Sequence, residues 1–172
     1  MFAPETSLPS GSKHRLEEVF CRLPFFTAVL CVIACAFLAR VIVWPARWAL
    51  DTLLDPWSAP PLQGAGIFRL VGSALVLAPL VETLVCQTFV FRCATKLGML
   101  PRHLWPTLAA SAAIFGVMHV YSAGYVLSST AVGFVFAAAF ALAGARHRAY
   151  WIVVVAHAGL NTVPMFASLS PK

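Results

Sequence analysis

Charged residues are scarce in this sequence, and acidic residues are the scarcest. Only 10% of the 172 residues are charged, whereas 60% are hydrophobic. A soluble domain carries about 25% charged residues, which cover its surface. The shortage therefore excludes a soluble enzyme, a nucleic-acid-binding domain and a disordered tail, and it predicts a membrane protein.

The net charge of +6 does not indicate nucleic-acid binding, because the basic residues do not form a stripe with interleaved aromatic residues. They lie at the ends of apolar runs, where basic residues set membrane topology and contact anionic lipid. The five cysteines give no disulfide framework, since their number is odd and most lie in or beside apolar runs. We expect membrane lipid as a partner, and no nucleic acid.

Five apolar runs have the length of about 20 residues that a helix needs to cross a bilayer. The fold class is therefore predicted to be all-α, a polytopic transmembrane helix bundle of about five spans. Residues 1–22 form a polar N-terminal segment that we expect to be loosely ordered, and residues 23–169 form a single transmembrane domain. The predicted spans are residues 25–44, 70–91, 104–121, 125–145 and 151–169.

The connection between the first two spans, residues 45–67, is rich in proline and tryptophan. This composition predicts an interfacial segment with a short amphipathic helix at about residues 47–54. Basic residues are more frequent in the loops on the side of the N-terminus. The positive-inside rule therefore predicts that the N-terminus lies inside and the C-terminus outside.

Three of the apolar runs contain an ionisable residue, which costs about 2.5–3.5 kcal/mol at mid-membrane. Glu82 lies in the second run, His119 in the third and His157 in the fifth, with Asn161 four residues further on. One such residue alone is often only a packing or clamping residue, but three on separate helices indicate a site. Pro79 precedes Glu82, and in an α-helix it leaves the carbonyl of residue 75 without its donor and bends the helix.

These residue types suffice to hydrolyse an amide bond with water. Glu82 can act as general base together with His119, while His157 and Asn161 donate hydrogen bonds to an oxyanion. Two alternatives remain open: Glu82, His119 and His157 are also a zinc ligand set, and His119 with His157 could ligate haem.

At these positions the sequence resembles the CPBP family of intramembrane proteases, which includes type II CAAX prenyl endopeptidases and bacterial immunity-type proteins. The family motifs Glu-Glu-x-x-x-Arg, Phe-x-x-x-His and His-x-x-x-Asn correspond to residues 82–87, 115–119 and 157–161. The resemblance covers about residues 70–164, the predicted catalytic core. It implies that Glu82 activates water with His119 while His157 and Asn161 stabilise the oxyanion. We favour metal-free glutamate chemistry, with zinc as the alternative.

The first motif differs from the family pattern, because Thr83 replaces the second Glu and Gln87 replaces the Arg. We expect a neutral Thr–Gln hydrogen bond in place of an ion pair, and a substrate that is not strictly prenylated. The chain is thus predicted to be an intramembrane endopeptidase of the bacterial inner membrane. It would cleave a membrane-associated or C-terminally anchored protein or peptide. A catalytically silent immunity or partner protein of the same fold is the alternative.

Overall fold

The protein is helical throughout the part that the computed structural model describes, residues 10–54, 67–100 and 102–169. This confirms the prediction of an all-α helical bundle. The helices are α1 (Ser10–Arg22), α2 (Phe25–Leu54), α3 (Ile67–Val71), π1 (Gly72–Leu77), α4 (Ala78–Glu82), π2 (Thr83–Phe89), α5 (Val90–Lys96), α6 (Leu104–Val117), α7 (Ala123–Leu142) and α8 (His147–Leu169).

Three helices in the described part of the chain are long and apolar enough to cross a membrane: α2, the stretch Gly72–Lys96, and α7. They coincide with the first, second and fourth predicted spans. Helix α6 is apolar but has 14 residues, and α8 has 23 residues. The bundle is that of a membrane protein, as the composition predicts.

The prediction of a separate amphipathic helix at residues 47–54 is wrong, because α2 continues through Pro45 to Leu54. Proline removes one helical hydrogen bond, but polar contacts to α7 hold the end of α2 in place. The Asp51 carboxylate accepts a 3.1 Å hydrogen bond from the backbone N–H of Gly124 and lies 3.5 Å from Arg47. The rest of the predicted interfacial segment, up to residue 66, lies outside the described residues.

The N-terminal segment is more ordered than predicted, since residues 10–22 form α1. The Cys21 thiol donates to the Leu142 carbonyl at 3.3 Å, and the Arg148 guanidinium donates to the Cys21 carbonyl at 2.9 Å. Arg148 also donates to the carbonyl of Leu23. These contacts attach α1 to the end of α7 and the start of α8. Residues 1–9 lie outside the described residues.

Helix α7 packs against both α2 and α6 through small residues. A Cβ atom at Gly133 would lie 2.8 Å from the Cβ of Phe115 on α6, so glycine is what allows the two helices to approach. Ala137 is fully buried and Ala141 is partly buried. The small residues of the fourth predicted span, which recur every four positions, therefore have a packing role.

The stretch from residue 67 to residue 96, called the 67–96 helix below, alternates between α- and π-helical turns. In π1 the N–H of Ala78 donates to the carbonyl of Ser73, five residues earlier. In this register the next donor, residue 79, would pair with Ala74, but Pro79 has no N–H. The prediction that Pro79 frees the carbonyl of residue 75 is therefore wrong by one position, because the turn is π-helical.

Candidate active site

Glu82 is the last residue of α4, the short α-helical segment between π1 and π2. Its Oε2 atom lies 3.6 Å from Nε2 of His119 and 3.7 Å from Nε2 of His157. The three ionisable residues of the predicted spans thus meet at one point, although they come from distant parts of the chain.

His119 reaches this point from a turn and not from a helix, because α6 ends at Val117. The third predicted span therefore ends four residues too late. The backbone N–H of His119 donates to the Gly116 carbonyl at 2.9 Å, and its Nδ1 lies 2.7 Å from the Phe115 carbonyl oxygen. Because a carbonyl only accepts, Nδ1 carries a proton, and in the neutral ring Nε2 is a bare acceptor that faces Glu82.

His157 is held in α8 by aromatic packing. The rings of Phe115 and Phe136 lie 5.3 Å and 5.2 Å from the His157 ring, centroid to centroid. The Nδ1 atom of His157 is buried and has no hydrogen-bond partner among the described residues. Its position is therefore set by packing, which leaves Nε2 towards the carboxylate.

The site is accessible on one side. The side chains of Glu82 and His119 are 15% and 16% exposed, whereas that of His157 is 5% exposed. On the exposed side the Tyr125 ring stacks on His119 at 6.0 Å, and the Arg47 guanidinium lies 5.3 Å from the centre of the Tyr125 ring. Glu82 and His119 are thus the more accessible members of the group, and His157 is the more deeply buried one.

The sequence did not single out Phe136 or Tyr125 as site residues. Phe136 is one of many aromatic residues in apolar helices, so nothing in the sequence distinguishes it. Tyr125 is three residues after Ser122, whose hydroxyl caps α7 by accepting from the Tyr125 N–H at 3.0 Å. A cap at this position places the first turn of α7 beside the His119 turn.

Glu82 and His119 face each other without a direct hydrogen bond, since Glu82 Oε2 has no partner among the described residues. A carboxylate oxygen and a bare imidazole nitrogen are both acceptors, so a proton donor is needed between them. A water molecule beside the pair would be within hydrogen-bond reach of both atoms, because their separation of 3.6 Å is less than twice a hydrogen-bond length of about 2.8 Å. Such a water donates one proton to each atom and keeps its lone pairs free to attack a carbonyl carbon.

Asn161 is not brought into contact with these three residues. Its Nδ2 atom donates to the Ala74 carbonyl at 2.8 Å, on π1. Its role at an oxyanion stays a prediction.

The predicted hydrogen bond between Thr83 and Gln87 is absent. Both side chains are buried, yet Thr83 Oγ1 and both amide atoms of Gln87 have no partner among the described residues. The expected contact between positions four apart is a property of α-helices, whereas these two residues lie in π2.

Among the described residues, no group of three or more His, Cys, Asp and Glu side chains is arranged to hold a metal ion. The zinc and haem alternatives stay predictions.

Comparison with known proteins agrees with the motifs. The sequence profile of the family described as type II CAAX prenyl endopeptidase Rce1-like matches residues 64–163, more than half of the chain. The match includes all three motifs, and the kind of function that goes with the family is CAAX-type intramembrane proteolysis. Searches of curated proteins and of solved structures find no match. The chain therefore belongs to the type II CAAX prenyl endopeptidase Rce1-like family.

Proposed function

We propose that the protein is an intramembrane endopeptidase in which Glu82 and His119 activate a water molecule to hydrolyse a peptide bond. The observation that carries the proposal is the position of Glu82 Oε2 within 3.7 Å of two imidazole nitrogens without a hydrogen bond to either. A packing role would favour a direct hydrogen bond, whereas this spacing suits a water that stands beside the pair and bridges the two groups.

The reaction follows from the donors and acceptors at the site. The water donates to Glu82 and His119, and its oxygen attacks the carbonyl carbon while one proton passes to Glu82. His157, with the proton on Nε2, donates a hydrogen bond to the resulting oxyanion. Glu82 then returns its proton to the amide nitrogen as the C–N bond breaks, which gives a carboxyl group and an amine.

The substrate that we propose is a membrane-associated or C-terminally anchored protein or peptide that is not strictly prenylated. The partial exposure of Glu82 and His119 supports access for a peptide chain. The neutral pair Thr83 and Gln87 leaves Glu82 as the one carboxylate of this motif. We place the enzyme in the bacterial inner membrane with its N-terminus inside, as the loop charges predict.

The test replaces Glu82 with glutamine, which keeps the shape and removes the base. In the native host, the Glu82→Gln variant should accumulate an uncut precursor in the membrane fraction, measured by quantitative proteomics of peptides that span the cleavage site. Loss of a general base lowers the rate by about 10²–10⁴-fold. The matched control is Glu17→Gln on the exposed surface of α1, which should cleave like the wild type.

Equal cleavage by Glu82→Gln and the wild type would contradict the proposal and favour a catalytically silent immunity or partner protein of the same fold. Thermal unfolding of both variants in detergent checks that they are folded, so that a loss of cleavage reports on chemistry.

A further inference from the structure

We infer that Asn161 is a positioning residue, whose side-chain amide replaces the backbone donor that Pro79 lacks and thereby fixes the π-helical turn before Glu82. Its effect on cleavage rests on the proposed function, whereas the contact itself does not.

The inference starts from the hydrogen-bond register of π1. Ala78 donates to Ser73, so the carbonyl of Ala74 would pair with residue 79, which is proline. An unpaired carbonyl within a membrane protein is costly because no bulk water replaces the donor. Asn161 Nδ2 lies 2.8 Å from this carbonyl and donates to it. Asn161 of the third motif therefore supplies the hydrogen-bond donor that is missing at Pro79, three residues before the first motif.

The register of π1 determines where Glu82 points. Glu82 follows Pro79 by three residues, within one segment, α4. If the turn before Glu82 changed from the π-helical to the α-helical hydrogen-bond pattern, the helix after it would rotate by one residue, which is about 100°. Glu82 would then turn relative to the start of the helix and away from the two histidines.

Two further side chains hold backbone carbonyls of the same helix. The Tyr150 hydroxyl donates to the Leu80 carbonyl at 3.1 Å, and the Ser111 hydroxyl donates to the Cys86 carbonyl at 2.7 Å. Asn161 is thus one of three side chains from α6 and α8 that fix this helix on both sides of Glu82.

A double-mutant cycle of Asn161→Ala and Pro79→Ala tests the inference, because alanine at position 79 restores the missing N–H. With Pro79 present, Asn161→Ala should lower the thermal unfolding midpoint and reduce cleavage by at least tenfold. In the Pro79→Ala background, Asn161→Ala should have at most half of each effect, on the unfolding midpoint and on cleavage. An oxyanion donor would instead lose cleavage equally in both backgrounds and leave the unfolding midpoint unchanged, and that result would overturn the inference.

A second measurement does not depend on Pro79→Ala being folded. Asn161→Leu keeps a similar size but has no hydrogen-bond donor, so amide exchange of residues 78 and 80–82 should become at least tenfold faster, by hydrogen–deuterium exchange. Unchanged exchange would overturn the inference. Both unfolding and exchange can be read even if Glu82→Gln cleaves normally, so failure of the proposed function and failure of this inference are distinguishable.

A second, independent observation is a basic groove where the end of the 67–96 helix meets the turn after α7. The groove has a volume of about 430 Å³ and is lined by Thr88, Phe91, Arg92, Thr95, Lys96 and Ala145. Arg92 and Lys96 are exposed and lie one helical turn apart, and neither has a salt bridge to any described residue. Two like charges at this spacing repel each other, which an anion between them would relieve.

We propose that this groove binds the phosphate of an anionic membrane lipid. The two cations follow an apolar stretch of helix, where a lipid head group lies, and basic pockets at that depth bind acidic head groups. Thr88 lines the same groove, and its buried hydroxyl has no hydrogen-bond partner among the described residues. Gly144 and Ala145, in the turn after α7, have positive φ angles, and Ala145 contributes to the wall of the groove.

The test measures the thermal unfolding midpoint of the detergent-solubilised full chain after addition of phosphatidylglycerol, phosphatidylcholine or inorganic phosphate. Phosphatidylglycerol should raise the unfolding midpoint most, and Arg92→Gln with Lys96→Gln should lose at least half of that rise. Arg102→Gln, an exposed basic residue outside the groove, should keep it. An equal rise of the midpoint with inorganic phosphate would overturn the assignment to a lipid. An equal loss of the rise in Arg102→Gln would overturn the location of the site in the groove.

Discussion

The 67–96 helix and α7 are built from stretches of equal mean hydropathy, and yet they differ in backbone geometry. Helix α7 is regular over 20 residues and contains no Asp, Glu, His, Lys or Arg. The 67–96 helix contains two π-helical segments, one on each side of the segment that ends at Glu82. Average composition therefore does not decide regularity. The irregular turns occur where a polar group must be aimed, as π-bulges often do.

The same two helices differ in how they treat buried polar groups. Thr83, Gln87 and Thr88 of the 67–96 helix have buried side-chain atoms without partners among the described residues, whereas α7 is packed through Gly133 and Ala137. Unsatisfied buried groups are rare and call for an explanation. Here they lie in the helix that carries the candidate catalytic residue, and Thr83 follows Glu82 directly, whereas α7 contributes close packing.

The largest expected effect comes from adding charge to the 67–96 helix. Thr83→Glu places an unpaired carboxylate at a buried position and should lower the free energy of unfolding by about 3–5 kcal/mol. Adding Gln87→Arg supplies a partner and should recover part of that loss. Unfolding in mixed detergent micelles measures both variants, and a Thr83→Glu protein as stable as the wild type would contradict the burial of this position.

A smaller change at the same helix affects chemistry and not folding. Glu82→Asp withdraws the carboxylate by about one bond, and a displacement of this size at a reacting group costs about 10²-fold in rate. We expect kcat/KM for a peptide substrate to fall by about that factor, with an unchanged unfolding midpoint. Glu17→Asp on α1 is the control, and near-normal activity of Glu82→Asp would argue against a positioned base.

In α7 the sensitive positions are those of close packing. Gly133→Ala brings a Cβ atom to 2.8 Å from Phe115 and should destabilise the protein by about 1–3 kcal/mol. The matched control lies in π1, where a Cβ at Gly72 has nothing within 4 Å. Thermal unfolding should therefore separate Gly133→Ala from Gly72→Ala, and equal midpoints would contradict the close approach of α6 and α7.

The smallest expected effect is the loss of one hydrogen bond to the 67–96 helix. Ser111→Ala removes the donor to the Cys86 carbonyl, and interhelical hydrogen bonds in membrane proteins contribute about 0.6 kcal/mol on average. We expect a loss of stability of that size together with slower cleavage. Tyr150→Phe should have a similar effect. A loss of stability larger than that of Gly133→Ala would show that polar contacts, and not packing, dominate the stability of the bundle.

The sequence was sufficient to predict which residues meet, because an ionisable residue in an apolar span has few reasons to be there. Glu82, His119 and His157 were expected together on this ground, and the structure places them together. The packing role of the small residues of α7 is equally predictable, since their spacing is a property of the sequence alone.

What the sequence could not predict depends on backbone register. The end of α6 at Val117, the partner of Asn161 and the missing Thr83–Gln87 hydrogen bond all follow from turns that depart from α-helical spacing. Periodicity arguments assume 3.6 residues per turn, so each π-helical turn shifts the expected contacts by about one position.

The hydrogen bond from Asn161 to the Ala74 carbonyl has an evolutionary consequence. Pro79 removes a donor and Asn161 returns one, so neither change is harmless without the other. Among relatives that keep the π-helical turn, the two positions should vary together. A lineage that regains an ordinary residue at position 79 should be free to lose the amide at position 161.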